Sequence, residues 1–437
     1  MNTAQWPTQT IGDLFEIGAG KTMSAKARDG QDRKPFLRTS NVLWDEIDLS
    51  VVDEMAITDE ELRSKSLAPG DLLVCEGGDI GRAAIWTGQR EIMSYQNHLH
   101  RLRPKTKLTD SRFYVYFLQC GFTQLGIFEG AGNKTTIPNL SKNRLAVLEV
   151  PVPAIQEQQD IALMLSTVRS SIKAHAHARQ LAQELKAATM TEVFTRGLRG
   201  EAQKQTEIGW VPESWSLRRL DEIAKVISTR MAYSDLESMP NEEILGDAVN
   251  VLGIKVSDMN RLGNEVIVRH SATSRVIGAS VAARRCAPPG TIIFPKRGAA
   301  IATNKKRMTA GWTVFDPNVI GVTAQGVDRN FLFQWFQRFD LKTITEAGPT
   351  PQLNKKNLDP LLIAAPSSQD EQHEIVAILD AIDRKISLHQ QKRAVLEALF
   401  KALLHKLMTG EIDVNDLDLT ALTALTALST ENEGSRA

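Results

Sequence analysis

EQQDIALMLSTVRSSIKAHAHARQ at residues 157–180 returns 214 residues later as EQHEIVAILDAIDRKISLHQQKRA at 371–394. Between 157 and 195, ten of 39 positions are identical at that offset, among them Glu157/Glu371, Gln158/Gln372, His175/His389 and Arg179/Arg393. A chain that repeats itself over such a length has duplicated one module. Steps of four and three place Ile161, Leu165, Val168, Ile172, His175, Arg179 and Ala182 on one stripe. The same steps place Ile375, Leu379, Ile382, Ile386, His389, Arg393, Leu396, Phe400, Leu403 and Leu407 on another. This is the spacing of a coiled-coil seam. Neither run holds Pro or Gly, so each predicts a helix of about 40 residues, roughly 60 Å long. A lone surface helix of that length would leave its stripe in water, and the simplest solution is an antiparallel pair burying both stripes. His175 and Arg179, with His389 and Arg393, then fix register as polar seam residues, or the seam drifts there and they face solvent.

Working outward, the repeat continues more weakly. Lys142 and Asn143 match Lys356 and Asn357, LAPGDLLVCEGG (67–78) resembles CAPPGTIIFPKRG (286–298), and Trp6 with TIGDLFEI parallels Trp215 with SLRRLDEI. The chain reads as a variable domain followed by a helix, twice over. Short apolar runs bounded by Gly, Pro and Asn (DLLVCE, AAIWTG, LEVPVP, TIIFPK, WTVFDP) predict strands, and RFYVYFLQC and NFLFQWFQR predict short buried helices. The expected class is mixed α/β (α+β): two globular domains and two long antiparallel helices in a pseudo-two-fold repeat. The expected bounds are 1–154 for the first domain and 155–197 for the first spacer helix. A polar linker (196–215) opens the second domain, within 198–368, and the second spacer helix spans 369–410. A flexible tail at 411–437 carries TALTALTAL.

At 437 residues the chain exceeds one ordinary core. Hydrophobic content of 42% and charged content of 24% fit a folded, water-soluble protein. No apolar run reaches the ~18 residues of a membrane span, and MNTAQWPTQT lacks a signal-peptide pattern, so a cytoplasmic location without membrane contact is expected. Cys75, Cys120 and Cys286 lie far apart, without thiolate metal spacing, and read as reduced and structural. The formal net charge is zero. From Val266 to Phe315, however, there is no Asp or Glu, against nine basic residues: Arg269, Arg275, Arg284, Arg285, Lys296, Arg297, Lys305, Lys306 and Arg307. Such a segment suits phosphate, unless acids elsewhere in the fold balance it.

Catalytic motifs fail on inspection. GAGKT (18–22) looks like the end of a phosphate-binding loop, but the first glycine that loop requires is Phe15. FEGAG (128–132) resembles the Gly-rich loop of amino-methyltransferases, yet no Asn/Asp-Pro-Pro-Tyr/Phe tetrapeptide accompanies it. No zinc spacing, GxSxG elbow or nuclease-type acidic cluster with an activating Lys occurs. No catalytic residue, metal site or cofactor is therefore assigned to this chain. What remains are polar loops suited to bases and phosphates, with Gly for close approach, Arg for guanine, and Asn or Gln for adenine. The DNA-contact candidates in the first domain are Arg38, Thr39, Asn41, Gly78, Arg82, Gln96, Asn97, His98, Arg101, Lys134 and Thr135. Those in the second are Lys296, Arg297, Asn304, Lys305, Lys306, Arg307, Gln352, Asn354, Lys355 and Lys356.

The junction TRGLRGEAQKQTEIGWVPESWSLRRLDEI resembles the segment between the two halves of specificity subunits of type I restriction-modification systems. PAIQEQQDIALML and SSQDEQHEIVAIL are similar to that family's helical spacers, although the second has SSQD where the family more often has Pro-rich residues. The resemblance spans Trp6 to about Ile412. It implies a DNA-binding, non-catalytic subunit in which each variable domain reads one half of a split, asymmetric site in double-stranded DNA and the helices set the gap. It further implies two DNA adenine-methyltransferase subunits and restriction/translocase subunits as partners, with adenosylmethionine, ATP and Mg residing in those partners. Two other readings stay open: the recognition part of a fused restriction-methylation enzyme, and a protein scaffold that never touches DNA.

Overall fold

The computed structural model describes residues 6–126, 140–240, 247–346 and 351–418. The reading of FEGAG, the candidates Lys134 and Thr135, and the TALTALTAL segment lie outside the described residues. The chain divides into two compact units, residues 1–178 with 389–437, and residues 179–388. Both boundaries fall within the long helices, Ile155–Arg196 and Gln369–Met408.

In the first unit a four-stranded antiparallel sheet runs in the order Phe15–Ala19, Leu99–Pro104, Leu72–Cys75, Ala83–Ile85. The run LLVC is buried at every position, so this strand is apolar on both faces. The predicted helix RFYVYFLQC forms as Ser111–Cys120 and carries Phe113, Tyr114, Tyr116 and Leu118 into the core, each fully buried. Burying one such side chain stabilises by ~2 kcal/mol. In the second unit Ala224–Ile227, Val319–Ala324 and Ile292–Pro295 follow the same sheet order, with Arg307–Thr309 and Ile267–Val268 added at the far edge. Helix Arg329–Arg338 buries Phe331, Leu332 and Phe336.

The same polar lock joins lobe to long helix in both units. Buried Gln158 accepts from the Asp110 N–H (2.9 Å) and donates to the Pro153 carbonyl (2.9 Å). Gln372 accepts from the Asp328 N–H (2.8 Å) and donates to the Pro366 carbonyl (2.8 Å). Asp110 and Asp328 in turn cap the two buried helices. Satisfying every polar atom of a buried amide makes this a specific joint, since an orphaned group there costs about 1–3 kcal/mol.

The two long helices pair antiparallel. In the first unit Ile161, Leu165 and Val168, near the start of one, share a core with Leu403, Leu404 and Leu407, near the end of the other. In the second unit Met190, Val193 and Phe194 meet Ile375, Val376 and Leu379. Each stripe therefore serves its lobe as well as its partner helix. Ile172, Ile382 and Ile386 are half-buried.

Two seam positions differ in chemistry between the copies. In the first unit Arg169 sits over the Phe400 ring, 4.8 Å from its centroid, and donates to Gln119 (2.6 Å). In the second unit the matched pair, Asp383 and Lys186, forms a 2.6 Å ion pair, joined by Gln334.

At the crossing the equivalent histidines meet, His175 Nδ1 lying 3.0 Å from His389 Nδ1. Arg393 instead bonds Glu397 on its own helix (2.8 Å), and Arg179 is half-buried. Of the two polar pairs, only the histidines face each other. A 3.0 Å N···N contact needs one protonated and one bare nitrogen. Burial, and then the Lys392 charge, hold His175 below its ordinary 6.5. A folded-state pKa below the unfolded one contributes stability above pH ~6.5 and loses it as pH falls through the folded value. Thermal scans from pH 8 to 5.5 should show the native protein losing stability in the acidic half, and His175→Leu losing distinctly less. Parallel curves would refute this role for the pair.

The segment expected to be a plain linker departs from expectation. Gln203–Thr206 and Gly209–Pro212 form an antiparallel hairpin whose Val211 is buried in the second unit's core. The polar run concealed alternation, with Val211 inward and Trp210 outward.

Candidate nucleic-acid interface

In the first unit five segments are stitched together at the end of the central sheet. Gln96 N–H donates to the Leu37 carbonyl (2.9 Å), Asn97 N–H to Lys21 (3.0 Å), and Glu76 N–H to His98 (2.9 Å), while Leu140 N–H donates to Glu76 (2.9 Å). Arg82 Nη2 donates to the Thr39 carbonyl (2.8 Å). These bonds bring Arg38, Thr39, Gly78, Arg82, Gln96, Asn97 and His98 onto one surface, with Arg38, Gly78 and His98 exposed.

The second unit repeats the arrangement. Lys296 N–H donates to the Asn318 carbonyl (2.7 Å) and Leu353 N–H to the Lys296 carbonyl (2.9 Å), with a further bridge between Arg297 and Gln352. The Lys296–Arg297 loop and the Gln352–Asn354 segment, far apart in sequence, thus lie side by side. Glu76 and Lys296 are equivalent, each following the buried strand and holding the same two backbone bonds. Leu140 and Leu353 each precede the cap, Ser141 or Asn354, of a short helix. The offset is 220 at the loop and 213 at the cap, so the match of Lys142 and Asn143 with Lys356 and Asn357 is displaced by one residue.

Several candidates are absorbed by the fold. Asn41 is buried, donating to the Asp48 and Val51 carbonyls (2.9 and 2.8 Å). Arg101 is buried against Glu16 (3.0 Å) and the Ser64 carbonyl (3.1 Å). Lys306 is only 2% exposed, donates to the Phe339 carbonyl (2.5 Å), and is pushed down to about 8 by burial. Asn304 holds the chain at Leu341 (3.0 Å), and half-buried Arg307 donates to the Lys306 carbonyl (2.8 Å). Such side chains are held by internal bonds, and a sequence cannot separate them from free ones of the same type. Lys355 pairs with Asp359 (2.5 Å) and Lys356 with Glu346 (2.8 Å), while Lys305 donates to Asn260. Of the acid-free segment's nine bases, Arg275 is tied to the Met239 and Glu237 carbonyls and Arg285 to Asp235 (3.7 Å). Arg269, Arg284, Lys296 and Arg297 have no side-chain bond to another described residue.

The phosphate-loop look-alike is structural. A Cβ on Gly20 would lie 2.3 Å from the Gln96 carbonyl oxygen, so Gly20 exists to let two backbones touch, and Lys21 pairs with Glu61. The three cysteines are free, and burial pushes their thiols up to about 11 for Cys75, 12 for Cys120 and 11 for Cys286. No group of three or more His, Cys, Asp or Glu placed to hold a metal occurs among the described residues, and no helix among them is long and apolar enough to cross a membrane.

Sequence reading missed Asn318, the partner of Lys296 as His98 is of Glu76, because the loops match at an offset that the helix repeat does not share. It also missed a cavity of about 470 Å³ beside Lys296, lined by Thr229, Tyr233, Lys255 and Phe315. Lys255 lies there over the Tyr233 ring, 4.4 Å from its centroid.

A family model described as the type I restriction modification DNA specificity domain matches twice, over residues 4–186 and 212–398. A chain named as the MjaX type I restriction enzyme specificity subunit, from Methanocaldococcus jannaschii, is 25% identical over 424 residues, 94% of each chain. The EcoDI specificity subunit of Escherichia coli is 22% identical, over 93% of this chain and 88% of that one. In fold, the chain is similar to the crystal structure of a type I restriction-modification S subunit from M. genitalium, with a TM-score of 0.57 at 14% identity over 93% and 97% of the two chains. The chain therefore belongs to the type I restriction-modification DNA specificity family, as a specificity subunit with two target-recognition domains.

Proposed function

We propose that each target-recognition domain reads one half of a bipartite, asymmetric site in double-stranded DNA, and that the paired helices set the gap between the halves. The chain performs no chemistry. It works in the cytoplasm with two DNA adenine-methyltransferase subunits docked on the helices, and with restriction/translocase subunits. Adenosylmethionine, ATP and Mg belong to those partners. One observation carries the reading: the same pair of backbone bonds holds Glu76 in one domain and Lys296 in the other, a common frame bearing different side chains. Dissimilar readers on one frame suit an asymmetric site. The reading predicts that methylated adenines, mapped in DNA from cells making this chain with its methyltransferase partner, fall in one two-part motif. It also predicts that the purified chain alone transfers no methyl group from adenosylmethionine. Methylation without a gapped motif, or transfer by the chain alone, would refute it.

The candidates Arg38, Thr39, Gly78, Arg82, Gln96, Asn97, His98, Lys296, Arg297 and Gln352 fit this role through their shared loops. Lys296→Ala with Arg297→Ala is expected to weaken DNA binding and lower the slope of log affinity against log salt, because two cations are withdrawn from the phosphate-lined groove. An unchanged slope would favour the scaffold reading.

A further inference from the structure

We propose that Glu76 is a specificity-determining residue of the first target-recognition domain, accepting a hydrogen bond from the N4 amine of a cytosine in its half-site. This rests on the DNA-reading role above and adds the base class to it. The position is defined by the matched bonds to His98 and Leu140 in one domain and to Asn318 and Leu353 in the other, so Glu76 stands where the second domain holds Lys296.

The two domains differ in charge balance. Residues 1–154 hold 18 basic and 19 acidic side chains, and residues 198–368 hold 22 and 17. The cations near Glu76 are already neutralised: Lys21 by Glu61, Arg38 by Asp53 (2.7 Å), Arg82 by Asp79 and Arg101 by Glu16 (3.0 Å). The Glu76 side chain makes no bond to another described residue and is half-buried. A Cβ added at Gly77 or Gly78 beside it would meet no atom of a described residue within 4 Å, which among those residues leaves room for a base edge.

A carboxylate on a DNA-facing loop is repelled by every phosphate and gains only from a donor. In the major groove the donors are the amines of cytosine and adenine, and a carboxylate, with no donor of its own for adenine N7, suits cytosine N4. Lys296 and Arg297, at the matched place, suit the guanine O6 and N7 acceptors. The two half-sites are thus distinguished at one structural position by the sign of a single side chain.

The test is methylation mapping in cells making the full chain with its partner subunits, as native, Glu76→Ala, Glu76→Gln and Lys296→Ala/Arg297→Ala. The expected native motif has a cytosine in one half-site at which Glu76→Ala loses about tenfold discrimination, with the other half-site unchanged. Glu76→Gln should shift that position toward adenine, because an amide both donates and accepts. The double variant should act on the opposite half-site only. A bipartite native motif that both Glu76 variants copy unchanged, or a relaxed position that is not cytosine, overturns the Glu76 proposal while leaving the bipartite reading intact. Absence of any gapped native motif defeats the underlying reading instead. A Glu76→Ala chain that fails to fold leaves Glu76→Gln, nearly identical in shape, to decide.

Discussion

Removing residues 172–178 and 386–392, the matched heptads at the helix crossing, is expected to leave both units folded and to weaken binding to the native DNA site about 100-fold or more. The cut spares the packing at each end: Ile161, Leu165 and Val168 still face Leu403, Leu404 and Leu407, and Met190, Val193 and Phe194 still face Ile375, Val376 and Leu379. A heptad falls only ~20° short of two full turns, so the stripes resume on their original faces. The helices shorten by about 10 Å. On DNA that is about three base pairs, a span over which the duplex turns roughly 100°. On the proposed reading, in which the helices set the gap, half-sites at the native spacing are no longer met in phase, and a site engaged by one half at a time forfeits an avidity gain of about 10²–10⁴. Titrating the variant onto sites of graded gap length measures the effect. Native affinity for the native site would rule out the helices as the spacing element.

Gly20→Ala is expected to destabilise the first unit by about 3 kcal/mol, lowering its Tm by roughly 10 °C. The added methyl would meet the Gln96 carbonyl oxygen at 2.3 Å and the Tyr95 carbonyl oxygen at 2.4 Å. Both are backbone atoms, and they lie in the loop that also bonds Lys21 and Leu37, so no side-chain rotation relieves the clash. Differential scanning calorimetry would register the loss, with the second unit's transition unmoved. A variant as stable as the native protein would mean that the two backbones can part freely, and that the Gln96–His98 loop is not held by this close approach.

How far the sequence reveals the molecule depends on the kind of signal. The long helices are legible because Ile161, Leu165 and Val168 recur at helical spacing with no breaker among them. LLVC and IIFP announce buried strands for an equally local reason. The hairpin at Gln203–Pro212 is hidden because its buried residues, Val211 and Pro212, stand at the end of a run otherwise polar or exposed. The candidate interface is legible as a set of loops and illegible as a set of side chains. Arg101 and Arg297 look alike in sequence, yet one is buried against Glu16 and the other is exposed. Composition reports the presence of charge, whereas its availability depends on neighbours brought from 85 residues away, as Glu16 is to Arg101.

The matched seam positions have a consequence for the ancestry of the chain. Arg169 rests on Phe400 where its counterpart Asp383 grips Lys186. Were either half to pair with a duplicate of itself, Arg169 would confront Lys186, cation against cation, or Asp383 would be pressed against the face of Phe400. Each half therefore carries a built-in aversion to its own twin. The chain repeats one module, yet these two positions make its halves complements of each other rather than copies that pair with themselves.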